Sequence, residues 1–348
     1  EEDHRVRGAF VFAGGSATGR ASSYGAQVHN FTRKVAAAPD DVRHAMVRGH
    51  EIVPKFGKRV TDVLKGMLRP ALVPAPGHVL IVADWAAIEA RMNPWLSSEP
   101  TSEAKLELFR TGSDVYKVNA SKTFHISVDE IDKDQRQIGK VQELACGYGG
   151  GIGAFAAMGR VYGVRLPESD ARRMVDAWRR ANPWAVSYWQ KLESAYTRAM
   201  RHKGREFSAG RVTYLFDGQH LWYALPSGRV LCYPYARLED DGVTYAKAAW
   251  KPAANATEWP RARLWKGLAC ENITQAAAND VLRHSLRELD AVGLNAVLHV
   301  HDEIVLEVPE TDADAAAKRL HDVMCAPPGW AIGLPLEAEV SVMKRYGK

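Results

Sequence analysis

The chain has 348 residues, with 46 Lys plus Arg against 41 Asp plus Glu and a formal net charge of +5. That length corresponds to about two domains, and the charge admits a polyanion partner as readily as an ordinary enzyme surface. A hydrophobic fraction of 46% beside 25% charged residues excludes global disorder, and no run approaches the ~18 apolar residues that a membrane helix requires.

In chain order, the first residues, Glu1-Glu2-Asp3-His4-Arg5, have none of the character of a signal peptide and lack an initiating Met. Residues 6–13 alternate loosely as a strand and run into Gly14-Gly15-Ser16-Ala17-Thr18-Gly19-Arg20. Residues 40–68 are charged and helical in pattern, and Pro74-Ala75-Pro76-Gly77 separates them from an apolar strand, Val79-Leu80-Ile81-Val82-Ala83. A helix is predicted from about Ala86 to Ser97, and helices follow over 102–110, 115–124, 129–146, 168–181 and 183–200. Residues 206–266 turn to Gly, Tyr, Trp and β-branched residues with hairpin-like alternation. A helix over 268–290, a hairpin over 296–308, a helix over 311–325 and a strand over 336–342 close the chain. The pattern predicts a sheet built from both ends of the chain, with a mostly helical insertion between. The four cysteines, Cys146, Cys232, Cys270 and Cys325, form no CxxC pair, which fits a reducing cytoplasm better than a disulfide or zinc–thiolate framework.

Three clusters carry chemistry. Asp84-Trp85-Ala86-Ala87-Ile88-Glu89-Ala90-Arg91 follows the apolar strand; Asp84 is placed either to hold a metal or to cap the next helix. His299-Val300-His301-Asp302-Glu303 sits at a hairpin tip, either as a polar turn or as a carboxylate pair. Together with Asp84 it could bind two hard cations of the kind that drive phosphoryl transfer. In the third, Arg136, Lys140, Leu144 and Tyr148 recur every four residues, so they form one slanted stripe on a helix. Two cations, an aliphatic and an aromatic suit the phosphates, sugar and base of a nucleoside triphosphate. An amphipathic surface helix would explain the charges but not the Gly-Tyr-Gly ending.

In this order the clusters resemble the three polymerase motifs of family A DNA polymerases, the DNA polymerase I class, in its phage-type branch. Motif A corresponds to 84–91, motif B to 136–149 and motif C to His301-Asp302-Glu303. Thr18-Gly19-Arg20-Ala21-Ser22-Ser23 with Gln27-Val28-His29-Asn30 is similar to the entry into the palm, and Glu271-Asn272-Ile273-Thr274-Gln275 to a minor-groove-tracking helix. The resemblance implies an α+β right-hand polymerase fold: a palm sheet with helices, carrying a helical fingers insertion. It divides the chain into palm (1–98), fingers with an associated insertion (99–267) and palm again (268–348).

By the same resemblance, Asp84 and Asp302 bind two Mg²⁺, for which Mn²⁺ substitutes, and Glu303 tunes the site. Arg136 and Lys140 grip the triphosphate, with Lys140 a proton donor to pyrophosphate. Tyr148 stacks near the templating base, and Glu89 is a steric gate against a ribose 2′-hydroxyl. Arg20, His29 and Gln275 meet the minor groove of the nascent duplex, and His301 helps to position the primer end. Four positions depart from the better-known members: Trp85 and Ala87 replace more familiar motif A residues, and Leu144 and Tyr116 bear on the nucleotide. Leu144 replaces a Phe or Tyr that contacts the sugar, which implies discrimination against dideoxynucleotides. Tyr116 replaces a phosphate-contacting His and carries no positive charge.

The implied partners are primer–template DNA and dNTPs, with no membrane. Only about 17 residues precede the Thr-Gly-Arg block, so the thumb is expected to be missing from this chain, as is a 3′–5′ exonuclease. A split subunit, a processed fragment and an engineered piece are equally consistent with that. The missing portion or a processivity factor would be a further partner, and the expected location is the cytoplasm, that of a bacterial host if the protein is phage-encoded. Two alternatives stay open: a DNA-binding fragment inactive without its thumb, and a single-subunit RNA polymerase.

Overall fold

A computed structural model describes residues 3, 5–49, 51–247 and 257–347, Lys58 by its backbone alone. The chain begins with a minimal ribbon, β1 (Phe10–Val11) and β2 (Ser22–Ser23), then three short helices: α1 (Pro39–Val47), α2 (Ile52–Phe56) and α3 (Val60–Lys65). Strand β3 (His78–Trp85) leads into seven helices. These are α4 (Ile88–Ser97), α5 (Glu103–Arg110), α6 (Val115–Phe124), α7 (Lys133–Cys146), α8 (Ile152–Tyr162), α9 (Glu168–Ala181) and α10 (Pro183–Arg201). Seven strands come next: β4 (Glu206–Ala209), β5 (Val212–Phe216), β6 (Leu221–Ala224), β7 (Val230–Tyr233), β8 (Arg237–Glu239), β9 (Gly242–Ala246) and β10 (Arg261–Leu264). Helix α11 (Lys266–Ala291), the hairpin β11 (Ala296–Val300) and β12 (Glu303–Pro309), helix α12 (Ala313–Cys325) and strand β13 (Ala338–Met343) complete it.

Two compact units divide the chain. The first comprises Glu1–Ala86, Val281–Ala326 and Leu336–Lys348. Its centre is a four-stranded antiparallel sheet in the order β11-β12-β3-β13. Val79, Leu80, Ile81, Val82 and Ala83 of β3 are all buried, which is why this strand reads as an unbroken apolar run. Side chains alternate across it. Leu80 and Val82 pack with Val28, Leu298, Val300, Val305 and Tyr346 on one face. On the other face, Trp85 Nε1 donates to the Met324 carbonyl of α12 at 2.8 Å.

The second unit comprises Ala87–Asp280 and Pro327–Pro335. It holds helices α4 to α10 and two antiparallel sheets, β4-β5-β6-β7 and β10-β9-β8. Its interior includes a buried polar hub on α7. Glu143 accepts from Lys105 at 2.8 Å, Asn119 at 2.7 Å and Trp178 at 3.1 Å. Each bond satisfies a polar group that would otherwise be stranded out of water. Gly139 sets the spacing of α6 and α7, because a Cβ there would fall 2.1 Å from the Tyr116 carbonyl oxygen.

Three sequence expectations change. The strand over 6–13 contracts to two residues, because β2 offers a two-residue partner. The helical stretch over 40–68 breaks into three short helices at Gly49 and Gly57, whose φ values of +63° and +55° leave the right-handed region. The stripe containing Tyr148 is not wholly helical: α7 ends at Cys146, and Gly149 (φ +76°) turns the chain away. Elsewhere the hairpin, the long helix and the β-rich stretch form as read, although residues 248–256 of that stretch lie outside the described residues.

Candidate functional site

The carboxylates of motifs A and C come together through strand register. Asp84 of β3 lies directly opposite Glu303 of β12 and Glu339 of β13. Directly paired residues of antiparallel strands project on the same face, so three acidic side chains stand in a row across the sheet. Glu339 carries no motif in the sequence, and only the pairing brings it to this row.

Asp302 follows from the turn. Val300 pairs with Glu303, leaving His301 and Asp302 as a two-residue loop, and His301 takes a left-handed φ of +57°. The Trp85 amide donates to the Asp302 carbonyl at 3.3 Å, which ties this loop to the end of β3. Helix α4 has Ala87 at its N-cap position, with no side-chain cap. Asp84 belongs to the strand, three residues before that N-cap, and the capping alternative for it falls away.

Like charges set opposite one another repel, so the row needs cations. Arg33 approaches Asp302 at 3.4 Å, and Arg69 approaches Glu303 at 3.7 Å. Glu303 is also the acceptor for the Tyr346 hydroxyl, and the Arg69 guanidinium lies 4.9 Å from the Tyr346 ring. Arg33, Arg69, Asp84, Val300 and Glu303 line a cleft of about 70 Å³. Carboxylate oxygens are the hard donors that suit Mg²⁺. Among the described residues no group of three His, Cys, Asp or Glu side chains is placed to hold a metal ion.

The histidines form their own cluster in this unit. His29 is buried, with Phe10 at 5.5 Å, His299 at 6.0 Å and His301 at 5.8 Å between ring centroids. Burial, with the neighbouring His299 and His301, lowers its pKa to about 4. Arg20 sits in the glycine-rich loop, where its carbonyl accepts from the Gly15 amide at 2.9 Å. Arg283 braces the same loop through the Phe12 and Gly19 carbonyls at 3.1 and 3.2 Å.

The nucleotide-binding candidates gather in the second unit. Asp132 opens α7 with a capping box shared with Gln135. One turn on, Arg136 Nε donates to Asp114 Oδ2 at 2.6 Å. The ring of Tyr116 lies between the two cations, 5.3 Å from the Arg136 guanidinium and 5.9 Å from Lys140 Nζ. Lys140 also lies 4.5 Å from the Tyr162 ring, a contact with no signal in the sequence. Partial burial raises the Asp114 carboxyl, but Arg136 and the first amides of α6 hold it below its ordinary value. Leu144 is exposed on the same helix.

Past the end of α7, the Tyr148 hydroxyl donates to Glu89 Oε2 at 2.5 Å, so motifs A and B touch there. Gly267 permits the close passage of this turn, since a Cβ on it would meet the Tyr148 carbonyl oxygen at 2.1 Å. Gln275 is half-buried on α11 and donates to Glu271 at 3.3 Å. The four cysteines are free thiols; burial pushes Cys146 and Cys270 up to about 12, so neither is a ready nucleophile. Among the described residues no helix is long and apolar enough to cross a membrane.

Comparison with known proteins gives the same family as the motifs. The chain is 36% identical over 350 residues to a DNA polymerase of Bacillus phage SP02, across 99% of this chain and 53% of the phage protein. It is 26% identical over 259 residues to DNA polymerase I of Chloroflexus aurantiacus, across 74% of this chain and 23% of that protein. The fold matches the POL domain of Pol1 from M. smegmatis, solved in complex with DNA primer–template and dNTP. The TM-score there is 0.61 at 19% identity, covering 94% of this chain and 46% of that one. The chain thus spans about half the length of its phage relative and about a quarter of the bacterial one. The family model for DNA polymerase family A matches residues 1–348, and the chain belongs to that family.

Proposed function

We propose that this chain carries the polymerising centre of a template-directed DNA polymerase, which adds dNTPs to a primer 3′-hydroxyl and releases pyrophosphate. The observation that carries the reading is the carboxylate row: Asp84 opposite Glu303 in register, with Asp302 in the adjoining turn. Asp84 and Asp302 are the ligands for two Mg²⁺, with Mn²⁺ as a substitute. When bound, these ions supply the Lewis acidity that favours the 3′-alkoxide and balances charge on the leaving pyrophosphate. Glu303 is engaged by Tyr346 and Arg69 and shapes the site as a supporting acid rather than a principal ligand.

In this reading Arg136 and Lys140 bind the triphosphate, Lys140 gives a proton to the departing pyrophosphate, and Tyr116 contributes a neutral hydrogen-bond donor. Leu144 faces the sugar. Glu89, held by Tyr148, occupies the space a 2′-hydroxyl would need, so selection is by exclusion. Arg20, His29, Gln275 and His301 serve the primer–template duplex. The 1–98 and 268–348 segments act as palm and 99–267 as fingers with its insertion. Membership of a DNA polymerase family supports DNA over RNA synthesis.

The test is Mg²⁺-dependent extension of a primer–template with four dNTPs, comparing wild type with Asp302→Ala. Extension that survives the substitution removes the two-metal assignment. A second reading is a DNA-binding portion that requires a thumb or exonuclease segment, or a processivity factor, for activity. Duplex binding without extension by wild type would select it.

A further inference from the structure

The β-rich segment after α10 takes no part in the chemistry above, yet it carries a cleft of its own. Tyr235, Arg237, Ala246, Thr257, Glu258, Trp259 and Arg261 enclose a space of about 240 Å³. Two large rings stand open to solvent there, Tyr235 at 48% and Trp259 at 52% exposure. Two open rings lining one cleft offer π-faces on which a planar ligand can stack.

Tyr235 is held in place at a conformational cost. Its φ of +50° is left-handed, a region that a bulky side chain seldom adopts. Two bonds impose it: the Tyr235 amide donates to His220 Nδ1 at 3.0 Å, and its carbonyl accepts from Arg261 at 2.7 Å. The His220 ring then packs edge-on against Tyr235 at 5.0 Å and against Trp222 at 5.7 Å. The strained backbone and the edge-on support of His220 present the Tyr235 ring as a fixed platform.

The cations of the cleft want an anion. Among the described residues Arg261 bonds to neutral oxygens, the Tyr235 carbonyl and Thr244 Oγ1, each at 2.7 Å. Burial and the positive charge of Arg237 both lower its pKa, which Glu239 and Glu258 offset only in part. Two guanidinium groups burdening each other beside open aromatic rings are complementary to a phosphate linked to a planar base.

We propose that this cleft binds single-stranded DNA, with bases stacking on Tyr235 and Trp259 and the sugar–phosphate backbone held by Arg237 and Arg261. Binding of this kind tolerates any base, because every base offers a π-face. The inference goes beyond the polymerase reading and stands without it, since its test needs no extension.

The test measures binding of a 5′-fluorescein-labelled oligothymidylate by fluorescence anisotropy at low ionic strength, beside a blunt duplex of the same length. The variants are Trp259→Ala, Tyr235→Asn and Arg237→Glu. Asn tolerates a positive φ, so Tyr235→Asn removes the ring without new backbone strain. Each ring removal should weaken oligothymidylate binding by roughly tenfold, while blunt-duplex affinity and the urea midpoint stay unchanged. Arg237→Glu should weaken it further and flatten its salt dependence. Three results overturn the proposal: no oligothymidylate binding by wild type, equal affinity in wild type and both ring variants, or weakening by Arg237→Glu alone.

Discussion

The Tyr148 hydroxyl donates to Glu89 Oε2 at 2.5 Å, joining a residue just beyond α7 to one in the first turn of α4. The bond fixes where the Glu89 carboxylate can lie, and fixed bulk excludes a hydroxyl better than mobile bulk does. Glu89→Gly should raise ribonucleotide incorporation relative to dNTPs by about tenfold or more. Tyr148→Phe should raise it less, because the proposed gate remains but loses its tether. Competitive primer extension with matched dNTP and rNTP measures both; selectivity unchanged in Glu89→Gly would remove the gate.

Asp84 and Asp302 enter through different elements, a strand and a turn, and neither can replace the other. Asp84→Ala or Asp302→Ala should each lower extension on the order of 10³-fold or more, which corresponds to several kcal/mol of transition-state stabilisation. Primer–template affinity, followed by anisotropy, should change little. A variant that loses both together has lost its fold rather than a proposed metal ligand alone.

Asp114 divides its two oxygens between two tasks. Oδ1 caps α6 through the Tyr116 and Lys117 amides at 3.0 and 3.1 Å, and Oδ2 takes Arg136 at 2.6 Å. On the proposed reading, a triphosphate seeking Arg136 competes with that carboxylate. Asp114→Asn keeps the capping oxygen and removes the charge, so dNTP affinity should rise roughly threefold, the scale of a partly exposed ion pair. Titration calorimetry with a dNTP reads it, with Arg136→Ala as the arm in which binding should weaken. Weaker binding in Asp114→Asn would mean that the carboxylate positions Arg136 instead of competing for it.

His29 gives the first unit an acid limit. Burial, reinforced by His299 and His301, sets its folded pKa at about 4 against an ordinary 6.5, so the fold favours the neutral ring. Its contribution is complete above about pH 6.5 and is lost as pH falls from there toward about 4, where the folded ring also protonates. Urea midpoints across this window should decline with acidity, and His29→Phe, which keeps a ring beside Phe10, should flatten the decline. An identical slope in both proteins would place the sensitivity elsewhere.

Lys105 and Glu143 form a buried pair at 2.8 Å. Partners in such a pair depend on each other, because removing one strands the other's charge out of water. Lys105→Ala should destabilise the second unit by about 3–5 kcal/mol, read as a lower urea midpoint. A loss within experimental error would show that Asn119 and Trp178 suffice for Glu143.

How far the site was legible depended on the kind of information each residue carries. Asp84 and Asp302 could be picked out because each follows a run of strand-forming apolar residues, and such runs declare themselves locally. Arg136, Lys140 and Leu144 could be placed on one face because helical period is local too. Glu339 was illegible: its place beside Asp84 arises from the pairing of β13 with β3, between residues more than 250 positions apart. Tyr162 beside Lys140, and Tyr346 on Glu303, escaped because each contact joins separate segments of chain that no local pattern relates. The helical span at 40–68 was misread in continuity because isolated glycines at 49 and 57 look tolerable in a charged helix until their φ is known.

By itself, the order of motifs along the chain determined the family, and with it the expected set of carboxylates, cations and gate. Periodicity and turn chemistry determined most of the helices and the motif C hairpin, since both are short-range properties of the backbone. Tertiary structure alone decided which acid stands opposite which, which ring shields which cation, and where Glu89 is held. Those are relationships between side chains distant in sequence, set by strand register and close helix crossings such as the one at Gly139, and no local pattern encodes them.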